Sequence, residues 1–305
     1  MKLVFAGTPE AAVPSLAMLA ASSHDLATVI TRADAPVGRK RVLTSSPVAQ
    51  AAHEQGLPIL KANRLGDDLT EVIARLAPDL GVIVAYGGLV REPLLSVPRL
   101  GWINLHFSLL PRWRGAAPVQ HAVIAGDALT GAAIFKLVPG LDAGPVYATL
   151  VRPIGADDTA GDVLEELSVT GATLLRDVVE DIAAGTASAT EQEGEVTLAP
   201  KLGIDDARVD WSRPAAAVYN RVRGVTPEPG AFTVVAGARV KLLAVRSAAF
   251  APDLPAGHLD LREGRVLIGT GTHPLELVNV QPSGKKAMPA VAWWRGAGRD
   301  GLVAS

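Results

Sequence analysis

Asn104, His106 and Asp142 are the residues whose types and spacing best suit chemistry at a carbonyl group. Side chains two positions apart on a β-strand share a face, so the Asn104 amide and the His106 imidazole can enter one cleft. An amide N–H and a protonated imidazole can both donate to an oxyanion, and one such donor contributes about 3 to 4 kcal/mol. Asp142 can raise the pKa of His106 or accept an amine proton through a water. Such general acid–base catalysis increases the rate by a further factor of roughly 10² to 10⁴. These residue types fit acyl transfer to an amine without a covalent intermediate.

Each of the three residues also has a purely structural interpretation. A single Asn or His at a strand end usually satisfies local hydrogen bonds, and an Asp between glycines usually forms a turn. Other chemistries fit less well, because the chain has no cysteine and no Gly-x-Ser-x-Gly elbow. His106 and His121 lack a close partner at metal-ligand spacing, so we expect no metal.

Strand and helix patterns alternate through the first half of the chain. Apolar runs at residues 2–6, 26–31 and 79–85 are separated by helical patterns, which predicts an α/β, Rossmann-like, doubly wound and mostly parallel sheet. Ligands bind such sheets at the carboxyl ends of the strands, where Tyr86 and Gly87 follow the third run. The first turn lacks the second and third glycines of a dinucleotide fingerprint, so the sequence does not favour nucleotide binding there.

Short β-branched runs between residues 232 and 280 predict a small β-barrel after the α/β part. The sequence therefore divides into a catalytic domain at residues 1–188, a linker at 189–206 and a C-terminal domain at 207–305. With 305 residues, of which 49 % are hydrophobic, the chain can bury a core in each domain.

Charge is unevenly distributed along the chain. Residues 206–305 carry 13 basic and 8 acidic side chains, whereas residues 1–205 carry 16 basic and 23 acidic ones. A second basic stretch, residues 32–47, is too long and polar for an ordinary connection between a strand and a helix. Both features are typical of a protein that binds a polyanion, and a solvated surface with chance asymmetry is the alternative.

The N-terminal apolar run is very short and ends at Pro9 and Glu10. It fits neither a signal peptide nor a membrane span. We therefore expect a cytoplasmic protein with no membrane partner.

Two motifs resemble the signature of the folate-dependent formyltransferase family: NLHFSLLPRWRG at residues 104–115 and GLDAG at residues 140–144. The opening FAGTPE, the basic loop, VDWS at residues 209–212 and QPSGKKAM at residues 281–288 extend the resemblance over the whole chain. It implies a Rossmann-like catalytic domain, a C-terminal OB-like barrel that binds tRNA, and 10-formyltetrahydrofolate as the formyl donor. It also implies direct transfer, through a tetrahedral intermediate, to the α-amino group of methionine on initiator methionyl-tRNA, a step that supports translation initiation.

The resemblance also implies roles for individual residues, and we expect a monomer. One departure is Glu228, which stands where many relatives carry a tryptophan. The implied catalytic residues are Asn104, His106 and Asp142, the folate-site residues are Ser108, Leu109, Leu110, Pro111, Tyr86 and Gly87, and the tRNA-binding residues are Arg39, Lys40, Arg41, Lys285 and Lys286.

Two other functions stay open at this point. A formyltransferase for a small amine, such as an aminosugar nucleotide or glycinamide ribonucleotide, would share the catalytic motifs but would need neither basic region. The chain could also be a catalytically idle module, which would bind tRNA or folate without transferring a formyl group. A formylation assay with methionyl-tRNA separates all three functions.

Overall fold

The computed structural model of the chain describes residues 1–38, 41–296 and 301–305. The chain forms two compact units, which we name the N-terminal and the C-terminal unit. The N-terminal unit comprises Met1–Pro118, Thr130–Pro153 and Leu164–Ala199. The C-terminal unit comprises Val119–Leu129, Ile154–Val163 and Pro200–Ser305. Two short segments before residue 188 thus belong to the C-terminal unit. The domain boundaries expected from the sequence stay a prediction.

Seven strands of the N-terminal part form one sheet in the order β10-β9-β7-β6-β1-β2-β5. The strands β1, β2, β5, β6 and β7 pair in parallel, whereas β7 and β9 pair antiparallel. With its flanking helices, this sheet confirms the predicted Rossmann-like, mostly parallel fold. The strands up to residue 199 are β1 (Lys2–Gly7), β2 (Asp25–Thr31), β3 (Ala35–Val37), β4 (Val42–Thr44), β5 (Ile59–Lys61), β6 (Leu80–Val84), β7 (Trp102–His106), β8 (Arg114–Gly115), β9 (Leu129–Lys136), β10 (Val146–Pro153) and β11 (Leu198–Ala199), and the helices are α1 (Val13–Ala20), α2 (Pro47–Glu54), α3 (Asp67–Leu76), α4 (Pro118–Ala125) and α5 (Ala160–Ala184).

The centre of this sheet is apolar and closely packed. Every residue of β6 is buried, as expected for a parallel strand covered on both faces. Gly81 lies against the Trp102 ring, where an added Cβ would come within 2.1 Å of a ring atom. The Trp102 indole donates to the Leu94 carbonyl at 2.9 Å. This packing fixes the neighbouring strands β6 and β7, whose carboxyl ends carry the candidate site.

The C-terminal unit is built on an antiparallel sheet in the order β12-β13-β16-β15-β14, with β17 paired to β16. Val303 bridges to His258, just before β14, and Ala304 bridges to Val235 at the end of β12. The last residues thereby join the two edges of the sheet. The elements of this part are α6 (Ala215–Gly224), β12 (Phe232–Val235), β13 (Ala238–Ser247), β14 (Leu259–Arg262), β15 (Arg265–Ile268), β16 (Leu275–Pro282), β17 (Met288–Pro289) and α7 (Ala290–Trp294).

Some short elements were not predicted. The sequence does not predict strands β5 and β14 or helix α7, because three to five residues carry little periodicity. The basic stretch contains two short antiparallel strands, β3 and β4. The supposed linker contains β11, which pairs in parallel with β8.

Within the described ranges, no helix is both long and apolar enough to cross a membrane. The same residues contain no group of three or more histidine, cysteine or acidic side chains suited to holding a metal ion.

Candidate active site

Asn104 and His106 lie on strand β7, near its carboxyl end. It lies between β6 and β9, where Asn104 is opposite Ile83 on one side and Phe135 on the other. The His106 ring is buried and meets the Phe135 ring edge to face, with 6.2 Å between the ring centroids. The central position of the strand therefore holds the imidazole in a rigid apolar setting.

The two ring nitrogens of His106 have different partners. Nε2 lies 2.9 Å from the backbone carbonyl oxygen of Trp113. Because a carbonyl can only accept, Nε2 carries the proton and the neutral ring has an unprotonated Nδ1. Nδ1 lies 3.8 Å from Oδ2 of Asp142. The structure thus brings His106 and Asp142 together, with a basic nitrogen on the side of the carboxylate.

Burial lowers the pKa of His106 below its ordinary value, although the Asp142 charge and the bond to Trp113 oppose this shift. The sign follows from desolvation, which disfavours the charged imidazolium. His106 is therefore neutral at neutral pH. This differs from the protonated donor considered from the sequence, because residue spacing gives no measure of burial.

Asp142 is held in a sharp turn by its neighbours. Its φ is +44°, in the left-handed region that non-glycine residues seldom adopt, although Asp tolerates it better than most. The Gly115 N–H donates to Oδ2 of Asp142 at 2.8 Å. At Gly144 an added Cβ would lie 1.8 Å from the Lys136 carbonyl oxygen, so only glycine fits there. The two glycine-containing loops therefore set the direction of the carboxylate.

Asn104 presents an amide whose oxygen is unused. Its Oδ1 is buried and has no hydrogen-bond partner among the described residues. A buried polar atom without a partner costs about 1 to 3 kcal/mol. An incoming N–H donor would remove that cost, so this residue fits a ligand-contacting role.

The residues predicted to line the folate site occupy the carboxyl ends of β6 and β7. Ser108 is buried and its hydroxyl donates to the Arg112 carbonyl at 2.6 Å, while Leu109 and Leu110 are partly exposed and Pro111 is buried. These contacts fix the turn that follows β7.

The same set includes the turn after β6. The Tyr86 side chain is buried and its hydroxyl donates to the Ala62 carbonyl at 2.6 Å. Gly87 has a φ of +77° and accepts a hydrogen bond from the Arg32 guanidinium through its carbonyl. The Tyr86 carbonyl also accepts hydrogen bonds from the Thr8 hydroxyl and from Nε of Arg32, so both its ring hydroxyl and its carbonyl are engaged within the protein.

The residues predicted to bind tRNA fall in different parts of the chain. Arg39 and Lys40 lie outside the described residues, and Arg41 is exposed immediately before β4. Lys285 and Lys286 are exposed in the C-terminal unit, between β16 and β17. Glu228 is also exposed in that unit. The structure leaves their role as a prediction.

Sequence reasoning missed two residues that contact the site loops. Gln192 hydrogen-bonds the carbonyls of Asp142 and Gly144 and accepts from the Arg114 guanidinium. Thr197 accepts from the Trp113 N–H at 2.9 Å. Gln192 is surrounded by Glu191, Glu193 and Glu195, a composition that predicts a solvated linker. No local motif signals these contacts.

Two family models match successive parts of the chain. Residues 1–179 match the family described as formyl transferase, and residues 201–298 match the formyl transferase C-terminal domain. A methionyl-tRNA formyltransferase of Clavibacter sepedonicus is 59 % identical over 304 residues and is covered over 100 % of both chains.

Solved structures share the fold at low sequence identity. The methionyl-tRNA formyltransferase from Clostridium thermocellum superposes with a TM-score of 0.55 and 14 % identity, over 81 % of this chain and 93 % of that one. WlaRD, a sugar 3N-formyl transferase solved in the presence of dTDP and 5-N-formyl-THF, gives a TM-score of 0.68 and 16 % identity over 94 % and 99 %. The fold alone therefore does not distinguish the acceptors named for these two proteins. The match to both family models and the identity to a full-length relative agree, and this chain belongs to the formyl transferase family.

Proposed function

We propose that the chain transfers the formyl group of 10-formyltetrahydrofolate to the α-amino group of methionine on initiator methionyl-tRNA. The observation that carries this proposal is the 59 % identity, over the full length of both chains, to a protein named methionyl-tRNA formyltransferase. That identity extends over both the N-terminal and the C-terminal unit.

The arrangement of Asn104, His106 and Asp142 supports the chemistry. The amine nitrogen attacks the formyl carbon, and the formyl oxygen takes the negative charge of the tetrahedral intermediate. The Asn104 amide N–H can donate to that oxygen, a contribution of about 3 to 4 kcal/mol in the transition state. We assign Asn104 to the oxyanion for this reason.

Proton transfer falls to His106 in this proposal. Its Nδ1 is unprotonated in the neutral ring and lies 3.8 Å from Oδ2 of Asp142. Nδ1 accepts the proton that leaves the amine, and the Asp142 carboxylate stabilises the resulting imidazolium. The intermediate collapses when N10 of the folate leaves and takes up that proton. The formyl group then resides on the methionine nitrogen, and His106 is neutral again.

Binding of the two substrates is proposed for separate sets of residues. The unused Asn104 Oδ1 and the turns after β6 and β7 fit a polar ligand at the carboxyl end of the sheet. We propose that the folate is held by Ser108, Leu109, Leu110, Pro111, Tyr86 and Gly87. For the polyanionic acceptor we propose the basic loop and the lysines of the C-terminal domain, as predicted from the sequence.

The test is a comparison of acceptors with the purified chain. Initiator methionyl-tRNA, an aminosugar nucleotide and glycinamide ribonucleotide are each supplied with 10-formyltetrahydrofolate, and the products are identified by mass. We expect kcat/KM for methionyl-tRNA to exceed that for either small amine by orders of magnitude. Preferential formylation of a small amine would contradict the proposal, as would absence of product beside an active control enzyme.

A further inference from the structure

Residues 190–199, which we name the bridging segment, run along both loops that form the candidate site. At one end Thr190 pairs with Val146 at the start of β10 through two backbone hydrogen bonds of 2.7 and 2.9 Å. At the other end β11 pairs with β8, and the Ala199 carbonyl accepts from Ala116 and Ala117. The loop with Trp113 and the loop with Asp142 are thus both tied to this one segment.

Gln192 makes the central contacts of the bridging segment. Its Nε2 donates to the carbonyls of Asp142 and Gly144, each at 2.8 Å. Its Oε1 accepts from Nη2 of Arg114 at 2.7 Å and from Nε of the same residue at 3.2 Å. Both ends of one amide are therefore used, and the amide joins the two loops.

The two residues nearest to His106 in these loops have unfavourable backbone conformations. Trp113, whose carbonyl accepts from His106, has a φ of +61°, and Asp142 has a φ of +44°. Non-glycine residues stay in this region only where several surrounding contacts hold them there. Thr197 bonds the Trp113 N–H and Gln192 bonds the Asp142 carbonyl. The bridging segment thus supplies the holding contact at both strained positions.

We propose that Gln192 is a positioning residue for formyl transfer: it fixes the Asp142 carboxylate relative to His106 while binding neither substrate. The inference rests on the proposed function for its kinetic test only. Misplacement of a catalytic group by about 1 Å can lower the rate about 10²-fold. The effect of Gln192 should therefore appear in kcat and should depend on the presence of Asp142.

The first arm of the test is a mutant cycle measured by the rate of formyl transfer. Gln192→Met should lower kcat by about 10²-fold at most and leave KM for folate and tRNA within about twofold. In an Asp142→Ala background the same substitution should change kcat by less than about twofold, because residues that act through one another are not additive. Gln55→Met, at an exposed site after α2, is the matched control.

Gln192→Glu is a second variant, which keeps the test valid if Gln192→Met fails to fold. A glutamate still accepts from Arg114, so the contact to that loop stays, but it cannot donate to the two carbonyls. We expect a loss of kcat at least as large as in Gln192→Met, in a chain that still unfolds in one cooperative transition. Near-normal turnover of Gln192→Glu would overturn the proposal, as would losses that multiply in the double variant or an effect on KM alone.

The second arm needs no acceptor and follows the titration of His106 by ¹⁵N NMR. The negative charge of Asp142 raises the pKa of His106, so Asp142→Ala should lower that pKa. Gln192→Met should shift it in the same direction, with no further shift in the double variant. If the unsubstituted chain fails to formylate methionyl-tRNA while this titration cycle holds, the proposed function fails and the positioning role stands. If transfer occurs but Gln192→Met leaves the His106 titration unchanged, the positioning role fails.

Discussion

The two ring nitrogens of His106 have different roles. Nε2 donates to the Trp113 carbonyl and fixes the ring, which leaves Nδ1 as a base beside Asp142. The pair resembles an ion pair on distance alone, yet burial keeps the imidazole neutral at rest. In the proposed mechanism, the Asp142 carboxylate stabilises the imidazolium that forms when His106 takes up a proton.

Protonation of His106 should couple to folding stability. Its pKa in the folded chain lies below the unfolded value of about 6.5, so the unfolded chain binds the proton more readily. No stability is lost from this residue well above pH 6.5, and stability falls as the pH drops through that value towards the folded pKa. The slope is at most about 1.4 kcal/mol per pH unit.

Thermal unfolding between pH 7.5 and 5.5 measures this effect. Relative to the unsubstituted chain, His106→Gln should gain stability as the pH falls. His53→Gln, at an exposed position on α2, is the matched control. A His106→Gln difference that stays constant with pH would show that the imidazole is not held neutral by burial.

At the scale of the element, the loop that contains Asp142 packs closely because its glycines let two backbones approach each other. Gly144 packs against the Lys136 carbonyl, where an added Cβ would lie at 1.8 Å. Gly144→Ala should therefore destabilise the N-terminal unit by about 1 to 3 kcal/mol, the usual cost of overpacking, and should reduce turnover. Gly66→Ala, where a Cβ meets nothing within 4 Å, is the control and should cost about 1 kcal/mol or less. Denaturant unfolding of both variants checks this, and equal stabilities would contradict the packing argument.

The sequence predicts most of the longer strands and helices of the N-terminal unit. Strand β6 is a continuous apolar run and α5 has a clear apolar stripe, so both follow from periodicity. The bridging segment does not, because its glutamates are typical of a solvated linker and its pairing to β8 depends on contacts distant in sequence. The contacts of Gln192 cannot be predicted from the sequence for the same reason. The resting charge of His106 depends on burial, which residue spacing does not reveal.

At the scale of the whole molecule, the fold is shared by formyl transferases that differ in the acceptors named for them. The fold alone therefore does not select tRNA. The basic loop and the basic C-terminal third of the chain are the features suited to a polyanion.

Alanine at Arg39, Lys40 and Arg41 together should weaken tRNA use and flatten its dependence on salt. Each lost phosphate contact reduces the slope of log K against log salt by about 0.7 to 0.9. Initial rates at several salt concentrations measure this effect. A control with alanine at Arg75, Arg99 and Arg176 removes the same charge from residues of the N-terminal unit that pair with acids. Equal salt slopes in the two triple variants would assign the loop a structural role.

The most direct measurement is formation of formyl-methionyl-tRNA from 10-formyltetrahydrofolate and initiator methionyl-tRNA, compared between the unsubstituted chain and His106→Ala. We expect rapid product formation by the former and a loss of roughly 10² to 10⁴-fold in kcat for the latter, with tRNA binding retained. No product from the unsubstituted chain, or near-normal turnover of His106→Ala, would contradict the proposed mechanism.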